Sequence, residues 1–113
     1  MAAVARVGNM TSITFDPHIV DALMPDLVGH DRQPSAFLVY LFLWRRTHGL
    51  GKPTVQVALL DIAEATGLSK RGVQDGLGRL GARKLIAVAR LSITAVPVYT
   101  VLRPWRDRQR GVQ

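Results

Sequence analysis

Apolar residues recur along the chain at helical spacing, in segments separated by short polar breaks. Ile19/Val20, Leu23/Met24 and Leu27/Val28 return every four residues and predict a helix with one apolar face. Asp16-Pro17 reads as its start, with Asp as the cap and Pro in the first turn. Pro25 interrupts the pattern, so a kink or an early stop is expected there. Residues 29–33 are polar and turn-like, and Pro34 opens a second segment over 35–48. Its stretch 36–44 is apolar all round, as expected of a helix covered on most sides. Arg45, Arg46 and His48 fall in its last turn, where cations suit the helix dipole, and Gly49 supplies a stop.

Beyond a loop at 49–53, Thr54-Val55-Gln56-Val57 suits a short extended piece. Residues 59–66 predict a short helix ending at Gly67. Ser69 is a good cap for a further helix over 70–84, with Val73, Leu77 and Leu80 as its apolar positions. The stretches 85–91 and 97–102 are rich in Val, Ile, Thr and Tyr, and predict a hairpin turning at 92–96. No internal repeat interrupts this order. The expected fold is mainly α with a small β-hairpin. The expected organisation is a flexible arm over 1–12, one domain over 13–103 and a basic tail over 104–113.

Composition narrows the function. At 48% apolar and 20% charged residues, the 113-residue chain buries a modest core. The absence of cysteine excludes disulfides, thiolate metal ligands and cysteine nucleophiles. The longest apolar stretch, 36–44, is about half of a bilayer crossing. The N-terminus, MAAVARVGNMTS, lacks the apolar stretch of a secretory signal, so a soluble, cytoplasmic protein is expected.

The net charge of +7 is unevenly placed. Residues 1–66 hold five cations against six anions, whereas 67–113 hold ten cations against Asp75 and Asp107. A small domain with its positive charge on one half has the footprint of a polyanion binder; the plainer alternative is a solvated face that keeps the protein soluble.

The stretch Asp61-Ile62-Ala63-Glu64-Ala65-Thr66-Gly67-Leu68-Ser69-Lys70-Arg71-Gly72-Val73-Gln74 is the most informative. With Leu77, Leu80, Lys84-Leu85-Ile86 and Pro97-Val98-Tyr99-Thr100-Val101-Leu102, it resembles winged-helix DNA-binding proteins over about residues 35–104. The resemblance implies a winged helix-turn-helix, here preceded by an extra N-terminal helix. Ile62 and Ala63 are expected to face the core, and Gly67 to take the left-handed turn between the helices. Leu68 fills the corner, Ser69 caps, and Val73, Leu77 and Leu80 pin the second helix. Its opposite face is then aimed at a major groove.

A helical wheel sets Arg71, Asp75, Gly78 and Ala82 opposite that apolar stripe, with Gln74 and Arg79 flanking and Lys70 at the edge. Arg71 and Gln74 are the candidates for base edges, since Arg grips guanine O6 and N7 and Gln pairs with adenine. Asp75 either accepts from cytosine N4 or, preferably, orients a neighbouring Arg. Lys70, Ser69, Arg79, Arg83 and Lys84 are the candidates for phosphates, joined on the supposed wing by Arg90 and Thr94. A hairpin that merely finishes the core is the competing view of the wing. Arg103, Arg106, Arg108 and Arg110 either track phosphates or form a solvated tail.

Three features depart from the family pattern. Gly72, Gly76, Gly78 and Gly81 all lie in the proposed recognition helix, each costing up to ~1 kcal/mol relative to Ala unless another backbone approaches closely there. Lys84 stands where relatives have Gly. Gly72 stands where Glu or Gln would complete a capping box.

Other chemistry is set aside. Gly49-Leu50-Gly51-Lys52-Pro53-Thr54 lacks the first Gly of a phosphate loop, and Pro53 follows the Lys. His18, His30 and His48 have no paired ligand spacing. Ser69 has no neighbouring base, Asp61 and Glu64 build no pocket, and Trp44 and Trp105 suit core or interface positions. No enzyme, cofactor, metal or small-molecule ligand is expected. The reading is a nucleoid-associated, sequence-specific binder of double-stranded DNA in transcriptional regulation. The resemblance implies a homodimer, for which 15–30 offers either a contact face or cover for its own core. The alternatives are a plasmid or phage replication or maintenance protein and, beyond it, a protein-binding winged helix.

Overall fold

The computed structural model describes residues 11–106. A leading helix over 17–30 is followed by α1 (Pro34–Arg46), a 3-10 turn (His48–Leu50), β1 (Val55–Gln56), α2 (Leu59–Thr66), α3 (Lys70–Ala82), β2 (Ile86–Ala89) and β3 (Val98–Val101). The fold is mainly helical with a small antiparallel sheet. A helix-turn-helix precedes a β-hairpin, and an additional helix precedes both.

The leading helix does not stop at Pro25. It runs through two π-helical stretches, Ile19–Leu23 and Pro25–His30, in which Met24 N–H donates to the Ile19 carbonyl and Asp31 N–H to the Asp26 carbonyl. Proline removes one donor and clashes with an α-helical carbonyl four residues back; the wider turn accommodates the ring without breaking the helix. Residues 29 and 30, expected in a turn, therefore belong to the helix. Reversal comes at Arg32, which takes a left-handed φ of 53°, while Gln33 N–H closes on the Leu27 carbonyl at 2.8 Å. The Asp16 carboxylate, expected to cap this helix, instead accepts from Trp105 Nε1 at 3.2 Å and from Arg106 at 2.9 and 2.7 Å. The first and last described segments are thereby clipped together, with His18 stacked on Trp105 at 4.5 Å.

α1 runs through the core as its apolar run predicts, burying Ala36, Phe37, Val39, Tyr40, Leu43 and Trp44. Tyr40 donates to the Leu102 carbonyl and Trp44 Nε1 to the Thr14 carbonyl, both at 2.9 Å, so neither aromatic buries an unmet donor. The helix ends before Gly49: Thr47 is its C-cap and donates back to the Leu43 carbonyl. Gly51 at φ 69°, not Gly49, takes the left-handed position that closes the following 3-10 turn.

The predicted hairpin forms, narrower than its β-rich runs, with Ile86 opposite Val101 and Ala89 opposite Val98. The extended piece near Thr54 completes a three-stranded sheet in the order β1-β3-β2, pairing Val55 with Tyr99. Ile86, Tyr99, Val101 and Val55 turn one sheet face onto the helices. Among the described residues no helix is long and apolar enough to cross a membrane.

Candidate nucleic-acid interface

The corner between α2 and α3 is built as its residue types require. Gly67 at φ 79° ends α2 with its N–H on the Ala63 carbonyl at 2.9 Å. Thr66 donates its hydroxyl to the Ile62 carbonyl at 2.7 Å and accepts from Leu68 N–H at 3.3 Å, locking the turn from the other side. Ser69 Oγ accepts from Gly72 N–H at 3.0 Å and caps α3 without the missing Glu or Gln.

Behind α3, Val73 and Leu80 are fully buried and Leu77 is half-buried. Gly76 is the fourth contact. A Cβ there would lie 3.1 Å from the Ser35 carbonyl oxygen and 3.2 Å from the Ala36 Cα, so only glycine lets α1 and α3 approach this closely. Nothing comparable surrounds Gly78 or Gly81. Close backbone packing thus explains one of the four glycines fully.

The opposite face is exposed. Of the candidate base readers, Arg71 has a side chain 85% exposed, and Gln74 is exposed one turn along. Asp75 lies 3.8 Å from the Arg71 guanidinium, close enough to bias its direction without burying it. Two concavities flank this face. One, of about 520 Å3, is lined by Gln33, Asp75, Gly78 and Arg79; the other, of about 420 Å3, by Leu77, Arg90, Thr94 and Tyr99; Gln74 borders both. The helix face and the hairpin therefore share one groove.

The expected phosphate contacts divide into two groups. Lys70, Lys84 and Arg90 are exposed, and among the described residues no carboxylate pairs with them. Arg83 is engaged internally: its Nε and Nη2 both donate to the Asp31 carboxylate at 2.8 Å, with Asp26 at 3.7 Å. Arg79 leans the same way, 3.3 Å from Gln33 Oε1 and 3.8 Å from Asp31. The Arg83 guanidinium, and after it His30, hold the Asp31 carboxyl far below the usual carboxylate range. Ser69 Oγ uses one lone pair to accept the cap bond, so its hydroxyl proton remains the group that could donate to a phosphate. Thr94 is exposed, 3.5 Å from the Ser92 hydroxyl. Arg106 is paired with Asp16, Arg103 is half-buried, and Arg108 and Arg110 lie outside the described residues.

Asp31 and Gln33 were not foreseen as neighbours of this face. A partial signal was present: Arg79 in α3 and Arg83 at its C-cap are one turn apart and suit a carboxylate, and Asp31 precedes the helix that packs against α3. Among the described residues no group of three His, Asp or Glu side chains is arranged to hold a metal.

No family model and no curated protein matches the chain. Among solved structures it is similar to the crystal structure of the AntR antimony-specific transcriptional repressor, with 18% identity and a TM-score of 0.46 over 89% of this chain and 90% of that one.

Proposed function

We propose that this chain is a sequence-specific double-stranded DNA-binding protein of transcriptional regulation, working as a homodimer at the nucleoid with 13–103 as its binding domain. The observation that carries the reading is the outward presentation of Arg71 and Gln74 on a helix fixed from behind. Both side chains have donors suited to base edges, and no part of the chain's own hairpin covers them. Asp75 steers Arg71. Lys70 at the start of α3, Lys84 beyond its end and Arg90 on the hairpin bracket that face with positive charge, the arrangement that holds phosphates on either side of a groove. Occupancy of an operator by such a protein blocks or recruits other factors.

The homodimer is supported by a second apolar stripe on the leading helix. While Ile19, Leu23 and Leu27 cover the core, Val20, Met24 and Val28 stand 50%, 38% and 40% exposed. The helix covers its own core with one stripe, and the exposed stripe supports its use as a contact between copies.

Selection of bound sequences from random duplex DNA tests the reading. A recovered motif of palindromic symmetry is expected; direct repeats would move the protein to replication or maintenance. Replacing Arg71 by Ala should weaken the selected site by about 1–3 kcal/mol and relax one base pair. Equal losses on every sequence would reduce Arg71 to a phosphate contact. Affinity should fall steeply with salt, with a log–log slope of several units if about six phosphates are neutralised. A flat response with no enriched motif would favour a protein partner.

A further inference from the structure

The tip of the hairpin carries two aliphatic side chains that nothing in the fold uses. Leu91 is 100% exposed and Ile93 92% exposed, the largest exposures of any large apolar residue among those described. They are not on a loose loop. Arg90 Nη1 donates to the Ile93 carbonyl at 3.4 Å, Ala95 N–H closes on the Ser92 carbonyl at 3.2 Å, and the Ser92 and Thr94 hydroxyls meet at 3.5 Å. Behind the tip, Val57 N–H and Gln56 Nε2 hold the returning strand through the Pro97 and Val96 carbonyls. The turn is braced by its own polar groups, and its apolar groups point away from the protein.

Position supplies the occupant. Arg90 and Thr94 line the same concavity as Gln74 of α3, so the tip projects beside the helix face and not from a remote surface. The tip belongs to the cationic half of the sequence, and Arg90 beside it is exposed with no carboxylate partner among the described residues, which favours a polyanion over an uncharged apolar partner. The tip's own hydroxyls, Ser92 and Thr94, face one another at 3.5 Å, and the two branched aliphatics beside them stand almost fully in solvent. Aliphatic side chains act on duplex DNA sterically: they enter the minor groove, part a base step and bend the helix.

We infer that Leu91 and Ile93 form an apolar wedge that enters the minor groove beside the site read by α3 and bends the duplex there. The inference rests on the DNA-binding reading above and adds a mechanical consequence to it. Flexible pyrimidine–purine steps at a fixed offset from the α3 contacts are the favoured entry point, because they unstack most easily. Specificity then comes partly from base pairs that no polar side chain touches.

The test is the bend of an end-labelled selected duplex, measured by fluorescence energy transfer, with the intact chain and with the L91S/I93S variant. The intact chain should bend DNA by roughly 20–90°. The variant should straighten it and bind roughly tenfold to a hundredfold more weakly, with the salt slope unchanged because no phosphate contact is removed. Both positions are solvent-facing, so unaltered circular dichroism and melting are expected and confirm folding. A straight duplex with the intact chain, or a bend that survives in the variant, overturns the wedge while leaving the reading by α3 in place. Failure of the intact chain to bind any duplex removes the DNA-binding reading itself. A variant that changes sedimentation of the free protein, or its partition onto anionic vesicles, while DNA bending persists would assign the tip to protein or lipid and overturn the wedge.

Discussion

Four glycines in one helix have different meanings once their surroundings are separated. Gly76 is enforced by backbone atoms that cannot yield, so Gly76→Ala must push α1 and α3 apart. A loss of about 1–3 kcal/mol in urea unfolding is expected. Gly81 has open space where a Cβ would stand, so Gly81→Ala should add up to ~1 kcal/mol through helix propensity alone. If the two substitutions have the same sign, the close approach of α1 is not what holds Gly76. Lys84 is the reverse case, a side chain where the backbone favours none: its φ is 59°. Lys84→Gly should relieve about 1–2 kcal/mol of left-handed strain and give back about 0.4–1 kcal/mol of unfolded-chain entropy, for a small net gain in stability. If Lys84 meets a phosphate, the same substitution weakens DNA binding and lowers the salt slope by about one. Opposite signs in the melt and the binding curve would identify a residue kept for its charge. The sequence already marked this position, because the resemblance asks for glycine there. It did not separate Gly76 from its neighbours, since which glycine faces α1 depends on the crossing of two helices distant in the chain.

At the scale of elements, α3 is held at two ends by different forces. Its start is set by the Ser69 cap and the Thr66–Gly67 corner, all local and all legible. Its far end is tied through Arg83 and Arg79 to Asp31, a contact spanning 52 residues that local pattern does not encode. The Asp31 side chain is only 5% exposed, and it satisfies Arg83 in bidentate fashion. Asp31→Asn should therefore destabilise the fold by about 1.5–3 kcal/mol, the range for hydrogen bonds to charged groups. The pH dependence has a definite sign. Because the folded carboxyl titrates well below its unfolded value of about 3.9, its contribution is complete above that value and is lost as pH falls below it. Asp16, held low chiefly by Arg106, acts in the same window, so Asp31→Asn should flatten the acid limb of the stability curve without abolishing it. An acid limb unchanged by Asp31→Asn would show that the pair is not maintained in solution. Two predicted elements differ from expectation in one detail each, for physical causes. The leading helix passes Pro25 by widening, which no propensity scale anticipates. β1 owes its existence to the free edge of β3, a partner more than forty residues away.

For the whole molecule, the charge asymmetry and the helix-turn-helix were legible because both are local sums or local patterns. How many copies act together is not such a sum. The leading helix divides its four-residue pairs between inside and outside: Ile19, Leu23 and Leu27 are buried, and Val20, Met24 and Val28 remain open to solvent in line. Three adjoining apolar side chains on one exposed helix face are poorly matched to water, and a second copy of the same face would cover them symmetrically. Pairing through this face also has a consequence at the DNA. The leading helix is anchored to α3 through Asp26, Asp31 and Arg83, so fixing two leading helices against one another fixes the separation of two α3 faces. A V20E/V28E variant should then sediment as a monomer with its melting only slightly altered, since neither position contributes to the core. Its affinity for a palindromic site should fall steeply, while its affinity for a single half-site should stay within about threefold of the intact chain's, roughly the shift of one weak surface contact. Intact protein that is already monomeric at high concentration, or a variant that remains dimeric, would place the second copy elsewhere and leave the exposed stripe for another partner. Loss of half-site binding as well would mean that the leading helix orients α3 within one copy, with the Asp31 contact as the route.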